Sequence, residues 1–266
     1  LRGLRCARNR AMHVAITGAS SGIGEALALE YFSRRADVSL VARRVELLEK
    51  LAKQTDTRTH LVQSDLSDAS QVTSWVDAAE QALGPIDVLI NNAGVQIIRA
   101  FTDTPFDEGR RLLQVDLLAP LELSQFVARR MVARKQGVIV DVASMASIAP
   151  TPGMAFYNAA KGGLAAASEG LRAELAQHGV HVVTVYPGLI RTAMEVAGRA
   201  AYGEETLMMK VFAPSGDADV LARLVADAVE ERRERVIYPP LNVLARHFPA
   251  ATRALLDAFT PRVPRG

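Results

Sequence analysis

Short apolar runs rich in β-branched residues alternate along the chain with longer segments in which apolar residues recur every three or four positions. The short runs predict strands buried on both faces because they are hydrophobic almost throughout, and the longer segments predict amphipathic helices. Alternating strands and helices favour right-handed crossovers, which build a parallel sheet with helices on both faces. The sequence therefore predicts an α/β fold, a Rossmann-type doubly wound parallel sheet in a single domain.

The predicted elements account for most of the chain. The predicted strands are 12–17, 37–42, 59–64, 86–91, 137–144, 180–187 and a short run at 235–239. The predicted helices are 23–35, 44–54, 68–82, 106–134, 156–178 and 217–232. No linker or repeat interrupts them, which indicates one domain over 12–240, after a basic and disordered tail at 1–11 and before an apolar extension of helical period at 241–266.

Composition and charge exclude several classes of protein. The 266 residues are 49% hydrophobic and 23% charged, and 31 basic against 29 acidic residues leave a net charge of +2, which argues against a nucleic-acid partner. Cys6 is the single cysteine, so no internal disulfide forms, which fits a reducing, cytoplasmic compartment. No apolar run approaches the ~18 residues of a membrane span. The five histidines lack metal-ligand spacing, so no metal is expected.

A glycine-rich turn follows the first predicted strand and opens the first predicted helix. It reads TGASSGIG from Thr17 to Gly24. Gly18 would form the turn, Gly22 would let the backbone approach a pyrophosphate, and Gly24 would allow close packing of helix on strand. Free N–H groups and the dipole at the helix start favour a bound anion. The turn predicts a dinucleotide site, with an ordinary strand-to-helix turn as the structural alternative.

The end of the second predicted strand indicates which dinucleotide is bound. Arg43 follows that strand directly, with Arg44 beside it. A guanidinium here suits the 2′-phosphate of NADP, whereas an acid would bind the 2′-hydroxyl of NAD. Asp37 lies too early in the strand to be that acid. The residues favour NADP(H), with NAD(H) as the weaker candidate and a solvated pair of arginines at a helix start as the structural alternative.

Four motifs, in order, resemble those of the classical short-chain dehydrogenase/reductase family. They are TGASSGIG at 17–24, NNAG at 91–94, Ser144 followed by Tyr157 and Lys161, and Pro187-Gly188. The similarity runs from about Met12 to Thr192. The resemblance implies an oxidoreductase that acts on a small-molecule ketone, aldehyde or alcohol with a nicotinamide cofactor. It also implies a homodimer or homotetramer, often joined through the helices that here span 106–134 and 156–178.

The resemblance assigns cofactor contacts to the glycine turn, the end of the third strand, the NNAG motif and the segment after the sixth strand. Together with the two arginines and the reacting pair, the candidate cofactor-binding residues are Gly18, Ser20, Ser21, Gly22, Ile23, Gly24, Arg43, Arg44, Asp65, Leu66, Asn92, Ala93, Gly94, Tyr157, Lys161, Pro187, Gly188, Ile190 and Thr192. The candidate catalytic residues are Ser144, Tyr157, Lys161 and Asp116.

Tyr157 and Lys161 are the predicted reacting pair. They stand four residues apart in a predicted helix and hence on one face. Because an ammonium near a phenol favours the phenolate, Lys161 is expected to lower the pKa of Tyr157 from its usual value of about 10. Tyr157 would then exchange a proton with the substrate oxygen while hydride moves to or from the nicotinamide.

Ser144 is the expected hydrogen-bond donor to the same substrate oxygen. It ends an apolar strand thirteen residues before Tyr157, whereas its rival Ser147 falls past the strand. The segment IAPTPGM at 148–154, between these serines and Tyr157, carries two prolines and a glycine, which predicts a loop that lines the pocket.

Asp116 departs from the family pattern. The family usually carries an asparagine here, which holds a water in the proton relay behind the lysine, and this chain reads LLQVDLLAP. An ionised carboxylate cannot donate a hydrogen bond as an amide does, and it would raise the pKa of Lys161 and offset part of the positive field at Tyr157. We expect a working relay with altered pH dependence. A solvent-facing helix aspartate and an impaired site are the alternatives.

The segment at about 189–215 resembles the variable lid that closes over the substrate in this family. Its apolar and aromatic side chains predict an apolar or aromatic carbonyl substrate, with core packing or a subunit contact as the alternative. They are Met194, Val196, Tyr202, Leu207, Met208, Met209, Val211 and Phe212. The tail at 241–259 mixes arginines with apolar residues, which fits a core or subunit contact better than peripheral membrane binding.

Two classes of function fit the sequence. The first is an NADP(H)-dependent oxidoreductase that interconverts a carbonyl and an alcohol. The second is a cofactor-binding, non-catalytic regulatory protein of the same fold, with Asp116 as a sign of an impaired relay. Retention of Ser144, Tyr157 and Lys161 together favours the enzyme.

Overall fold

Parallel strands form the centre of the computed structural model, which describes residues 10–202, 215–248 and 250–254. Within these residues the strands are β1 His13–Thr17, β2 Asp37–Ala42, β3 Thr59–Gln63, β4 Val88–Asn91, β5 Gly137–Val142, β6 Val180–Pro187 and β7 Arg235–Tyr238. All pairings are parallel, and the order is β3-β2-β1-β4-β5-β6-β7. The predicted doubly wound parallel sheet is confirmed.

Helices cover both faces of this sheet. In the described part of the chain they are α1 Gly22–Ser33, α2 Val45–Ala52, α3 Val76–Leu83, α4 Phe106–Leu113, α5 Ala119–Ala133, α6 Ala155–Ala176, α7 Ala193–Tyr202, α8 Ala218–Glu231 and α9 Val243–His247. A π-helical segment, Gln114–Leu118, joins α4 to α5.

Successive side chains of each strand point into two different apolar cores. Ile16 of β1 packs on one face with Leu27 of α1 and Val225 of α8. Its neighbour Ala15 faces the other core, which contains Val127 of α5. Because both faces of the central strands are buried, the strand segments are apolar almost throughout rather than alternating.

The predicted helix at 68–82 is wrong in its first half. A 3-10 turn at Ala69–Gln71 replaces it, and α3 begins only at Val76. The Asp68 carboxylate accepts the Ser70 N–H at 3.0 Å. Such local hydrogen bonds from short polar side chains compete with helix formation, which explains the late start.

The predicted helix at 106–134 is interrupted rather than continuous. The π-helical segment Gln114–Leu118 contains Asp116, and Pro120 follows at the start of α5. Proline lacks the N–H that a regular helix would need there, and a wider turn accommodates this loss. π-Helical segments are frequent at functional sites, which focuses attention on Asp116.

The two ends of the chain and the lid are described in part. Arg10, assigned to the predicted disordered tail at 1–11, forms an ion pair with Asp87 at 2.8 Å, and residues 1–9 of that tail lie outside the described residues. The predicted lid is described as α7, and its residues 203–214, which hold Leu207, Met208, Met209, Val211 and Phe212, lie outside.

The predicted C-terminal helix is broken into α9 and a further helical turn at 250–254, and residues 255–266 lie outside the described part. Leu244 and Phe248 are exposed, so these two side chains do not belong to the core, and the subunit contact that was the other half of the expectation stays a prediction. In the part of the chain that the structure describes, no helix has the length and apolar character needed to cross a membrane.

Candidate active site

A cavity of about 920 Å³ opens at the carboxyl ends of the strands. Loops that follow the first six strands, β1 to β6, form one part of its wall. The π-helical segment, α6, α7 and residues 241–252 contribute the other lining residues. β1 and β4 are neighbours in the sheet although their connections run in opposite directions from this point. Parallel α/β sheets bind their ligands at such a switch point.

The structure brings nearly all of the sequence-predicted site residues to this cavity. Those that line it are Gly18, Ser20, Ser21, Gly22, Ile23, Arg43, Arg44, Asp65, Leu66, Asn92, Ala93, Gly94, Asp116, Ser144, Tyr157, Lys161, Pro187, Gly188, Ile190 and Thr192. Gly24 is the exception. A Cβ placed on Gly24 would overlap the carbonyl oxygen of Gly18, so Gly24 serves the packing of α1 against the turn rather than the cavity wall.

The glycine-rich turn adopts a backbone conformation that other residues avoid. Gly18 has φ +67° and Gly22 has φ +60°, both in the left-handed region. A Cβ on Gly18 would also lie 2.8 Å from the Cα of Ala93. The turn therefore presents bare backbone and the start of α1 to the cavity.

Thr17 holds the glycine-rich turn against the NNAG motif. Its hydroxyl oxygen accepts the N–H groups of Asn92 and Ala93 at 3.0 and 3.1 Å. The Asn92 amide in turn donates to the Thr17 carbonyl oxygen at 2.9 Å. Two loops far apart in sequence are thereby joined into one rigid wall.

Arg44 and Arg43 lie at the end of β2 and play different roles. The Arg44 guanidinium donates to the hydroxyl oxygens of Ser20 and Ser21, both at 3.0 Å. These hydrogen bonds connect the loop after β2 to the glycine-rich turn. Arg43 is exposed and borders the cavity, and no acidic side chain of the described residues pairs with it. Its charge is available to an anionic ligand.

Tyr157 and Lys161 stand one turn apart on α6, and the Lys161 Nζ lies 5.9 Å from the centre of the Tyr157 ring. Burial raises the pKa of Tyr157 and outweighs the charge of Lys161, which lowers it; Asp116 raises it further, and a hydrogen bond with Ser144 lowers it. Lys161 lowers the pKa of Tyr157 as expected. The predicted net direction of that pKa shift is nevertheless wrong, because burial of the phenol raises the pKa by more.

The two candidate serines, Ser144 and Ser147, make different contacts. Ser144 starts the 3-10 turn Met145–Ser147, two residues past β5, and its hydroxyl oxygen accepts the Ala146 N–H at 3.1 Å beside Tyr157. The Ser147 hydroxyl donates instead to the Lys161 carbonyl oxygen at 2.8 Å, on the backbone of α6. Ser144 borders the cavity and Ser147 does not.

Asp116 reaches Lys161 from the π-helical segment. Its Oδ2 lies 3.3 Å from the Lys161 Nζ, and its Oδ1 accepts the Val95 N–H at 2.8 Å. Asp116 is 0% exposed and Lys161 4%, so the solvent-facing alternative for Asp116 is wrong. Oδ2 receives no well-aligned hydrogen bond from the described residues, although it is at ion-pair distance from the ammonium.

Charge and burial shift the pKa values of Asp116 and Lys161 in opposite directions. Burial raises the pKa of Asp116 above its usual value and exceeds the effect of the Lys161 charge. Burial lowers the pKa of Lys161, but the charges of Asp116 and Tyr157 outweigh it and the net direction is upward. Lys161 also donates to the Val142 carbonyl oxygen at 3.1 Å, which holds the ammonium at the end of β5.

Further residues line the cavity beyond the candidate catalytic and cofactor-binding sets. Met194 and Tyr202 of the predicted lid line it, whereas Val196 is exposed and does not. Gln96, Met154 and Asn242 also line it, and they come from three separate loops. Gln96 lies two residues after NNAG, which is the signal that could have found it, and Met154 ends the IAPTPGM segment that was predicted to line the pocket. No local pattern marks Asn242. Within the described residues, no group of three or more histidine, cysteine, aspartate or glutamate side chains could hold a metal.

The sequence matches the family model described as short chain dehydrogenase over residues 12–203. Among curated proteins it is similar to dehydrogenase/reductase SDR family member 7B of Mus musculus. The two are 31% identical over 232 residues, which cover 84% of this chain and 72% of the mouse protein.

Solved structures show the same fold over nearly the whole chain. A short-chain dehydrogenase from Sphingobium yanoikuyae in complex with NADPH has a TM-score of 0.78 and 30% identity, and the match covers 96% of this chain and 98% of that one. A bulky-bulky ketone specific alcohol dehydrogenase from Comamonas testosteroni has a TM-score of 0.76 and 26% identity, with 93% and 94% covered.

Proposed function

This chain belongs to the short-chain dehydrogenase/reductase family and is an oxidoreductase of that type, and from that premise we propose that it transfers hydride between NADP(H) and a carbonyl/alcohol pair. The observation that carries the proposal is the meeting of Ser144, Tyr157 and Lys161 at one cavity with the glycine-rich turn. An acid/base group, a hydrogen-bond donor and a dinucleotide cradle are the parts that such a reaction needs.

The cavity fits a nicotinamide dinucleotide, the cofactor class of the family. The positive φ angles of Gly18 and Gly22 leave bare backbone where a pyrophosphate would lie, at the start of α1. Pro187 at the end of β6 and the residues Gly188, Ile190 and Thr192 that follow it line the same cavity as Tyr157 and would hold the nicotinamide. When bound there, the cofactor supplies or accepts the hydride.

Arg43 supports NADP(H) over NAD(H). Its guanidinium borders the cavity without an acidic partner among the described residues, so a 2′-phosphate can pair with it directly. Arg44 is engaged with Ser20 and Ser21 and would position the adjoining loop. The solved relative from Sphingobium yanoikuyae, which is in complex with NADPH, supports the same choice.

Tyr157 would act as the acid in reduction and the base in oxidation. In reduction its O–H gives a proton to the substrate oxygen as hydride reaches the carbonyl carbon, so the carbonyl becomes an alcohol and Tyr157 becomes a phenolate. Ser144 would donate a hydrogen bond to the same oxygen. Lys161 stabilises the phenolate because its charge lowers the pKa of Tyr157.

Asp116 would act behind Lys161 in the return of the proton. Its Oδ2 faces the ammonium and lacks a well-aligned donor among the described residues, so it can accept a proton or a relay hydrogen bond. Its negative charge raises the pKa of Tyr157. We therefore expect a working proton relay whose pH dependence is displaced toward alkaline values.

The proposed substrate is a bulky apolar or aromatic ketone or aldehyde. Met154, Met194 and Tyr202 give the cavity an apolar wall near the reacting groups. The solved relative from Comamonas testosteroni is specific for bulky-bulky ketones, which supports a large substrate.

We also propose a homodimer or homotetramer, as is common in the family. Phe101 and Phe106 are exposed and both pack against Phe156 at ring distances of 5.8 Å, and Leu118 nearby in sequence is exposed too. Apolar side chains on the helices at 106–134 and 156–178 would be covered in an assembly. Light scattering after size exclusion tests this, and a monomer at micromolar concentration would contradict it.

The test of the proposed function is consumption of NADPH by the purified protein with a panel of bulky aryl ketones and aldehydes. Turnover with NADPH in preference to NADH is the expected result. Binding of NADPH without turnover of any panel member would favour the non-catalytic regulatory alternative. Failure to bind either nucleotide would contradict the proposal entirely.

A further inference from the structure

Gln96 lies in the wall of the active-site cavity, where the loop after β4 meets α7. Its carboxamide packs against Gly198: a Cβ on Gly198 would lie 3.0 Å from the Gln96 Oε1 and 3.4 Å from the Ile98 Cδ1. The side chain is partly buried, and it has no hydrogen-bond partner among the described residues. Gln96 is therefore a polar residue of the cavity wall whose neighbours Ile98 and Gly198 offer its amide no hydrogen bond.

Other polar side chains of this part of the wall are engaged with the protein itself. The Tyr202 hydroxyl donates to the Pro152 carbonyl oxygen at 2.8 Å. Glu195 and Arg199, one turn apart on α7, form an ion pair. Gln96 differs from them because no hydrogen bond engages its carboxamide within the part of the chain that the structure describes.

We propose that Gln96 is a specificity-determining residue that hydrogen-bonds an uncharged polar group on an otherwise apolar carbonyl substrate, such as a hydroxyl, a second keto oxygen or an ester oxygen. The inference rests on the proposed oxidoreductase function and names its substrate class more closely. A carboxamide offers both a donor and an acceptor but no charge. Since Glu195 and Arg199 neutralise each other, the described part of this wall gives a charged substituent no counter-ion.

The expected substrate selectivity follows from the free-energy cost of leaving the Gln96 amide without a hydrogen-bond partner. Solvent satisfies a carboxamide in an open cavity, but a bulky substrate displaces that solvent. A substrate with a polar group at the right place restores the hydrogen bond, whereas its hydrocarbon analogue leaves the amide unpaired. Sites built to hydrogen-bond a substrate group reject the analogue that lacks it far more strongly than apolar pockets reject an extra methyl group.

Gly198 supports this role of Gln96. Because Gly198 has no side chain, the Gln96 carboxamide can lie against the backbone of α7. Gly198→Ala would therefore displace Oε1 without removing the amide. The substitution provides a second way to disturb the recognition that leaves Ser144, Tyr157 and Lys161 unchanged.

The experiment compares matched aryl alkyl ketones that carry either a hydroxyl or a methyl group at the same ring position, with the position varied to scan the reach of Gln96. For each pair the ratio of kcat/KM is measured with NADPH. The wild-type protein is expected to prefer the hydroxyl member by about tenfold or more at one position. Gln96→Leu is expected to abolish that preference through a higher KM for the hydroxyl member, with little change for the methyl member.

Three further variants separate recognition from general damage. Gln96→Glu keeps an acceptor and is expected to retain part of the preference for the hydroxyl. Gly198→Ala is expected to weaken the preference while the Kd for NADPH stays unchanged. Gln177→Leu, a glutamine just past α6 whose amide donates to the Glu174 carbonyl oxygen, is the matched control and should behave as wild type.

Several outcomes would overturn the assignment. They are the absence of a hydroxyl preference at every ring position, an equal loss for both members in Gln96→Leu, and no turnover of either series by a protein that binds NADPH. Tyr157-dependent turnover without a pairwise preference would overturn the role of Gln96 alone. Failure to bind NADPH would overturn the proposed function and this inference together.

Discussion

The Oδ2 of Asp116 lies 3.3 Å from the Nζ of Lys161, and both side chains are almost completely buried behind Tyr157. A buried carboxylate at this distance stabilises the ammonium, and its negative charge also disfavours ionisation of the Tyr157 phenol. The pKa of Lys161 is raised as a net result, and Asp116 contributes to the raised pKa of Tyr157. Burial has the largest effect on the pKa of Tyr157, and the two charges of the ion pair add opposite contributions to it.

Asp116→Asn is expected to move the pH profile of kcat/KM toward acid. Asp116 raises the pKa of Tyr157, so removal of its charge lowers that pKa. Alcohol oxidation needs the phenolate, and its rise with pH should occur at lower pH in the variant. Ketone reduction needs the protonated phenol, and its fall should also occur at lower pH. Measurement in both directions checks the sign.

A matched control for Asp116→Asn is Asp107→Asn on α4. Asp107 has a side chain 90% exposed and pairs only weakly with Arg110, so its charge is screened by solvent. The profile of the control should coincide with wild type. An unchanged or alkaline-shifted profile for Asp116→Asn would rule out the assigned electrostatic role.

Arg43→Ala is expected to weaken NADPH binding by roughly ten- to a hundredfold with little effect on NADH. The lost interaction is a charge-assisted hydrogen bond to the 2′-phosphate, worth about 1.5–3 kcal/mol, and NADH lacks that group. Titration of both nucleotides gives the two Kd values. Arg110→Ala on α4, where the arginine side chain is 72% exposed, serves as the control. Equal losses for both nucleotides would contradict the proposed NADP preference.

Gly24→Ala is expected to reduce the free energy of unfolding by about 2 kcal/mol or more, because its Cβ would overlap the Gly18 carbonyl oxygen and force α1 away from the turn. Gly170→Ala on α6 is the matched control. Nothing lies within 4 Å of its added Cβ, so it should stabilise the helix by about 0.5–1 kcal/mol. Urea unfolding of both variants tests the contrast, and similar effects at the two glycines would refute it.

Sequence reasoning succeeded where a local pattern determines the structure. The doubly buried strands and the glycine-rich turn follow from composition and φ preference, and the four-residue spacing of Tyr157 and Lys161 follows from helix geometry. These features require no knowledge of what packs against them, and the structure confirms the parallel sheet.

Features that depend on packing between distant segments could not be predicted in the same way. The position of Asp116 beside Lys161 depends on how the π-helical segment packs against α6. The Gln96 carboxamide, which lacks a hydrogen-bond partner among the described residues, depends likewise on how the loop after β4 meets α7. The net direction of the Tyr157 pKa was wrong for the same reason, since burial depends on tertiary structure.

The most direct measurement compares wild type and Tyr157→Phe in NADPH binding and in reduction of a bulky aryl ketone on the same preparations. We predict that the variant keeps NADPH binding within about tenfold of wild type, since at most one hydrogen bond to the cofactor is lost and the cradle at Gly18 and Gly22 is untouched. The variant should lose at least about a hundredfold in kcat because the proton donor is removed. Turnover by Tyr157→Phe at the wild-type rate would contradict the proposed chemistry.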